Sequence, residues 1–269
     1  MRLVVIPPYR GMNWTPVGGH FMLREIVERM QQSGQLKDVE ITIDDGQPVA
    51  ENTTESRDAA VYGDISGGLL RRVHMYGAGD SCDAIICSGG SDIAFQAARV
   101  ASRIPVVYSF HAALHIASMI GSRSSLVASA YSTVLTCRQQ ANDYGLNHKL
   151  ISGRFISWSS TKIAAVVKKR QAGQVEAADM TELIDAIKAQ CIEAIEEDRV
   201  DSLMLIYPGF QCLEAVIRQK LDDEGYSEIP LICGLPAAVE VAKLLVNLRL
   251  AQAARAHPGE HLKAIPRFA

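Results

Sequence analysis

This chain of 269 residues has no strong excess of either charge: 27 lysines and arginines face 30 aspartates and glutamates, a net charge of −3. A near-neutral chain lacks the basic surface that nucleic acid or an anionic membrane requires, so a small-molecule partner is expected instead. No apolar run approaches the ~20 residues of a membrane span. The opening Arg2-Leu3-Val4-Val5-Ile6 meets Pro7-Pro8 too soon for a secretory signal, and a cytoplasmic location is expected. The six cysteines, Cys82, Cys87, Cys137, Cys191, Cys212 and Cys233, form no CxxC pair and no dense framework. That scatter argues against a disulfide scaffold or a zinc knuckle. No long low-complexity linker interrupts the chain.

What is present is a repeat. Ile104 to Ala117 and Ile229 to Ala242 align without a gap, each a short apolar strand running into a helix. A further matched strand precedes each copy, Asp83 to Gly90 in the first half and Asp201 to Gly209 in the second. The alternative is chance similarity between two ordinary strand-helix units. Duplication predicts two lobes, with residues 1–118 and 236–269 in the first and 119–235 in the second. Short buried strands at Leu3 to Ile6, Ser125 to Ser129 and Leu203 to Tyr207 alternate with amphipathic helices at Phe21 to Gln32 and Thr181 to Glu197. Val39 to Ile43 and Leu150 to Ile156 read as further strands, a helix is expected over Gly67 to Met75, and Asp44 to Gly68 reads as turn-rich. This alternation is the pattern of α/β architecture: two pseudo-symmetric lobes, each a parallel sheet flanked by helices, with a substrate cleft between them. Ligands in such folds sit beyond the carboxyl ends of the strands, here Pro7 to Thr15, Ser88 to Asp92, Ser129 to Thr133 and Tyr207 to Phe210.

Several segments together resemble the aspartate/glutamate/hydantoin racemase superfamily, most closely its hydantoin racemase branch. They are Glu55-Ser56 with Asp58-Ala59-Ala60, Asp83 to Ile86 leading to Ser91-Asp92 and Ala97-Ala98-Arg99, Ile104 to Val107 before Ala112 to Leu114, and Asp201 to Gly209. The resemblance spans residues 1 to about 250. It implies two pseudo-symmetric lobes, an oligomer, no cofactor, and a pair of facing cysteines that remove and replace a proton beside a carbonyl. The chain departs from the pattern at the thiols: counting six residues on from Asp83 reaches Gly89, and from Asp201 reaches Tyr207. Cys87 lies one pleat deeper than Gly89 on the same strand face, either as a displaced thiol or as a small buried hydrophobe.

The candidate catalytic residues are therefore Tyr207, Cys87 and His111. Tyr207 either donates a proton to the substrate or fills the volume of the lost thiol. Ser88, Gly89, Gly90 and Ser91 form a loop whose amides and hydroxyls suit a carboxylate or imide oxygen, with Asp92 as a ligand or a helix cap. Ser129, Tyr131 and Ser132 form the matched loop, which resembles the carboxylate-holding loop of arylmalonate decarboxylases and maleate isomerases. Pro208 and Gly209 turn the chain tightly after Tyr207, and Arg10 and Asn13 are candidates to meet an anionic or amide group, against ordinary solvation and turn roles. His111 and His115 share a helix face, but no third ligand accompanies them and no metal is expected. The expected activity is racemisation or isomerisation of a small carboxylate or cyclic amide or imide. The alternatives are a lyase, decarboxylase or hydrolase on the same fold, and a binding protein without catalysis.

Overall fold

The computed structural model describes residues 1–10, 20–47, 59–173 and 178–258. Its first half carries β1 (Arg2–Ile6), α1 (Phe21–Gln32), β2 (Glu40–Ile43), α2 (Ala59–Tyr76), β3 (Ala84–Cys87), α3 (Phe95–Val100), β4 (Val106–Tyr108) and α4 (Ser109–Ile120). The second half carries β5 (Ser124–Ala128), α5 (Tyr131–Asp143), β6 (Leu150–Phe155), α6 (Ser160–Gln171), α7 (Ala178–Glu196), β7 (Ser202–Leu205), α8 (Pro208–Gln211), α9 (Glu214–Asp223), β8 (Leu231–Cys233) and α10 (Gly234–Asn247).

Two parallel four-stranded sheets result, ordered β2-β1-β3-β4 and β6-β5-β7-β8. The order is the same once the second set is renumbered, which is what a duplicated chain produces. Every residue of β3 and β7 is buried, as expected of central parallel strands covered on both faces. The edge strand β2 instead alternates between exposed and half-buried positions.

The duplication extends to individual hydrogen bonds. The Asp83 amide donates to the Arg2 carbonyl at 2.8 Å, and the Asp201 amide donates to the Arg123 carbonyl at 2.7 Å. Each aspartate in return accepts from the same arginine's amide, at 2.7 Å in the first half and 3.1 Å in the second. The two guanidinium groups reach matching carbonyls as well, Asp80 at 3.3 Å and Asp198 at 2.7 Å, each three residues before its aspartate. Chance similarity of two strands does not reproduce a pattern of three matched hydrogen bonds.

The helices that follow the last strand of each half cross between the sheets. α4 packs on β5, β7 and β8 as well as β4, and α10 packs on β3 and β4 as well as β8. Phe110, Leu114, Leu235 and Val239 are fully buried there, each contributing about 1.5–3 kcal/mol of apolar transfer. The two helices begin side by side: a Cβ added to Gly234 would lie 3.2 Å from the Ser109 Cβ.

The end of the expected turn-rich segment Asp44 to Gly68 is helical. α2 begins at Ala59, well before the expected Gly67. Ile65, Leu69 and Val73 bury one face at four-residue spacing, and this packing overrides the poor helix propensity of Gly63, Gly67 and Gly68. Gly68 is needed for closeness, since a Cβ there would stand 2.8 Å from the Gln47 Cβ. Among the described residues no helix is long and apolar enough to cross a membrane.

Candidate active site

The central strands of both sheets deliver their carboxyl ends to one place. Ile6 pairs with Cys87, so Pro7-Pro8 emerge beside Ser88-Gly89, and Val127 pairs with Leu205, so Ser129 emerges near Tyr207. Prolines end β1 because they lack the amide a further ladder bond requires. The space between these ends, with the first turns of α1, α5 and α6, is a cleft of about 780 Å³ counting its mouth. Gly89 and Tyr207, the equivalent positions six residues beyond Asp83 and Asp201, both line it.

Of the residues expected from sequence, Ser88, Gly89, Gly90, Ser91, Ser129, Tyr207 and Pro208 line the cleft. A Cβ on Gly89 would approach the Pro8 ring to 3.3 Å, so this wall is already close-packed. Gly209 lies just behind. A Cβ there would meet the Tyr207 ring at 2.7 Å and Ile163 at 2.8 Å, and the missing side chain lets the ring fold against the α8 turn. The Tyr207 hydroxyl donates a long bond of 3.3 Å to the Ser160 carbonyl, and its ring meets Phe210 edge-on at 5.4 Å. Ser88 is 2% exposed and its Oγ has no hydrogen-bond partner.

Other expected residues are placed elsewhere. Cys87 is buried behind the Ser88 loop against Tyr108, outside the main cleft lining, and burial pushes its thiol up to about 12. None of the six cysteines lines the cleft. His111 packs against Phe95 at 4.9 Å, His115 at 4.1 Å and Tyr144 at 4.8 Å, outside the lining. Burial there pushes its imidazole down to about 3. His115 Nδ1 donates to the His111 carbonyl of its own helix at 2.8 Å. Arg10 pairs with exposed Asp45 at 3.3 Å, and Tyr131 is an exposed residue stacked on Phe155 at 5.5 Å. Ser132 is not part of the lining, and Asn13 lies outside the described residues.

Asp92 does cap a helix, although not the one that follows it. Its carboxylate accepts from the amides of Phe110 and His111 at 3.1 and 2.8 Å, at the start of α4, and from the Tyr144 hydroxyl at 2.8 Å. Burial outweighs these bonds and raises its carboxyl to about 7. In the second half Gln211 fills the corresponding place, accepting from the Leu235 amide at 2.9 Å. One lobe thus caps its crossing helix with an acid and the other with an amide.

Sequence reasoning missed His20, Tyr62 and Ser160 in the lining. His20 precedes α1 and is 4% exposed. Its Nε2 donates to the Asp45 carbonyl at 2.8 Å, which leaves Nδ1 as the acceptor of the neutral ring. Burial lowers its pKa, with Asp45 opposing, so the ring is neutral at pH 7. The segment that presents Asp45 is itself anchored. Asp44 accepts from Arg72 through both carboxylate oxygens, from Tyr76 at 2.8 Å and from the Gly46 amide at 2.7 Å. Burial alone would raise Asp44, and these bonds hold it below the usual carboxylate value. Gly46 at φ +70° is required, because a Cβ would strike the Tyr9 backbone at 2.8 Å. The one available signal for His20 is its place immediately before an amphipathic helix that follows a strand-end loop.

A duplicated α/β fold with its cleft between equivalent strand ends defines the class of molecule. The chain matches the family model "Asp/Glu/Hydantoin racemase" over residues 10–242, and it belongs to that family. Curated protein sequences gave no match. Among solved structures, allantoin racemase from Klebsiella pneumoniae is similar at 20% identity and TM-score 0.73, over 99% of this chain and 96% of that one. Allantoin racemase from Pseudomonas fluorescens is similar at 21% identity and TM-score 0.73, over 99% of this chain and 100% of that one. A glutamate racemase isoform from Bacillus anthracis is similar at 16% identity and TM-score 0.60, over 93% of this chain and 84% of that one. At these identities the likeness is one of fold.

Proposed function

We propose that this chain catalyses cofactor-independent proton transfer at a carbon beside a carbonyl of a small carboxylate or cyclic amide or imide, in the cleft between its lobes. The observation that carries the reading is the convergence of Gly89 and Tyr207, the two positions the duplication makes equivalent, on one cleft free of thiols. The family's cysteine pair is replaced here, and the chemistry passes to oxygen and nitrogen groups. His20, neutral at working pH, is the base through Nδ1. Tyr207 is the acid: once His20 has taken the α-proton, the phenol delivers its own proton to the same carbon, and the imidazolium and phenolate return to their starting forms by proton exchange with water. The enolate oxygen that forms is met by the Ser88 to Ser91 loop and by the first turn of α5, which no side chain caps.

The asymmetry favours a second reading as well. With glycine on one side and a phenol on the other, a single acid suffices for decarboxylation, in which carbon dioxide leaves and one face is reprotonated.

Deuterium wash-in at the α-carbon, followed by NMR in heavy water over alkylhydantoins, allantoin, aspartate and glutamate, is the test. Proton transfer predicts exchange on at least one of these. No exchange across the panel contradicts it, and carbon dioxide release from a malonate without exchange selects the second reading. His20→Gln should slow the active case by about 10²-fold or more. The wild-type rate should fall on the acid side with a midpoint below 6.5, because burial depresses the imidazole, and fall again at high pH where the acid loses its proton.

A further inference from the structure

We infer that Asp44 is a positioning residue for His20: clamped by Arg72 and Tyr76 of α2, it fixes the Asp45 carbonyl against the ring and so decides which imidazole nitrogen is left to accept a proton. That His20 is the base rests on the reading above; that its ring is held from α2 does not.

The chain around Asp45 is a turn tied on both arms. The Asp44 amide donates to the Val5 carbonyl at 2.9 Å, one step past the end of β2, and the Arg10 amide donates to the Gln47 carbonyl at 2.7 Å. Between them Gly46 takes its φ of +70° against the Tyr9 backbone. Asp45 uses two different groups at this corner. Its carboxylate is 66% exposed and pairs with Arg10 at 3.3 Å, while its carbonyl accepts from His20 Nε2 at 2.8 Å. A carbonyl can only accept, so Nε2 carries the hydrogen and Nδ1 keeps its lone pair. The state of the ring therefore follows the position of one backbone oxygen.

That position is set one residue away. The Asp44 carboxylate is fully buried and accepts from Arg72 Nε at 2.7 Å, from Arg72 Nη2, from the Tyr76 hydroxyl at 2.8 Å and from the Gly46 amide at 2.7 Å. A guanidinium spread across both carboxylate oxygens fixes orientation as well as distance, and the Gly46 bond ties the same carboxylate to the turn. Arg72 and Tyr76 are four residues apart and share one face of α2, a helix seated in the core by Ile65, Leu69 and Val73. Asp44, Arg72 and Tyr76 stand outside the cleft lining, so their effect on it passes through the turn.

Heteronuclear NMR of the full chain at neutral pH reads this without a substrate, because a ring N–H bonded to a buried carbonyl exchanges slowly with water. His20→Gln identifies the signal. Asp44→Asn, which sets an amide N–H among donors, and Arg72→Lys, which keeps the charge but not the fork, are each expected to speed exchange of the Nε2 proton about tenfold or more. Tyr76→Phe, which removes a single hydroxyl, is expected to speed it about threefold. Asp45→Ala removes only the exposed carboxylate and should leave it within about twofold. Unchanged ring-proton exchange in the folded Asp44, Arg72 and Tyr76 variants overturns the inference, even where the melting temperature drops, since stability loss alone is the mark of a merely structural role. Acceleration by Asp45→Ala equal to theirs also overturns it, by placing the hold in the carboxylate. The rate of α-carbon exchange is read separately. A wild-type rate in His20→Gln would retire the base assignment and leave the ring-proton result standing, whereas a rate abolished by His20→Gln, with ring and rate untouched in Asp44→Asn and Arg72→Lys, would retire this inference alone.

Discussion

Single residues carry costs that the fold tolerates for different reasons. Ser109 is fully buried at the start of α4 and its Oγ has no hydrogen-bond partner, yet it does not line the cleft. The equivalent residue of α10 is Gly234, which has no hydroxyl to satisfy. Ser109→Ala should therefore stabilise the chain by about 1 kcal/mol, read as a melting temperature raised by about 2–4 °C; a lower one would show an unseen partner. Asp92 has the opposite logic. Its carboxyl rises to about 7 in the folded chain, so the fold favours the protonated form. That contribution is complete below the unfolded value near 4 and is lost as pH rises through about 7. Asp92→Asn should flatten the decline in stability between those two values. Chemical denaturation at a series of pH values checks this, and an unchanged slope would mean that Asp92 titrates elsewhere.

At the scale of elements, α5 holds the cleft loop of the other lobe. Thr133, Cys137, Gln140 and Tyr144 lie on one face of the helix and its cap. Gln140 brackets Asp92, accepting from its amide at 3.1 Å and donating to its carbonyl at 2.8 Å. The Cys137 thiol reaches the Gly90 carbonyl at 3.4 Å, and Tyr144 bonds the Asp92 carboxylate at 2.8 Å. A Cβ on Gly90 would contact the Thr133 methyl at 3.6 Å. Gln140 is not in the cleft lining, so its effect on binding passes through the loop. Gln140→Ala is expected to destabilise the chain by about 1–3 kcal/mol and to weaken ligand binding several-fold. Stability loss with unaltered affinity would show that the loop keeps its shape without the bracket.

The same elements show what was legible in the sequence. The matched segments at Asp83 and Asp201, with their following strand-helix copies, gave the two-sheet architecture, because a repeated apolar period is a local signal. Counting from those aspartates reached Gly89 and Tyr207, which both line the cleft. His20, Tyr62 and Ser160 were not legible, because each lies at a helix start or on a helix face with no periodicity of its own. They meet only when the strand order β2-β1-β3-β4 and its second copy bring distant segments together. Asp92 read either as a ligand or as a helix cap; the helix it caps starts at Ser109, beyond an intervening strand. That is a tertiary fact that no local motif records.

The whole molecule is a symmetric frame around an asymmetric cleft. Its two sheets share strand order, their opening arginine and aspartate bonds are duplicated, and the crossing helices α4 and α10 exchange sides. Symmetry ends at the cleft: glycine stands where the other half has tyrosine, and an acid in one helix cap answers an amide in the other. The claim that reaction depends on the cleft phenol is tested most directly by α-carbon deuterium exchange rates of Tyr207→Phe and Cys87→Ser beside wild type, on the best substrate found. The account predicts a loss of about 10²-fold or more for Tyr207→Phe and a rate within about twofold for Cys87→Ser, because a buried, protonated thiol outside the cleft takes no part. Exchange abolished by Cys87→Ser and untouched by Tyr207→Phe would contradict it.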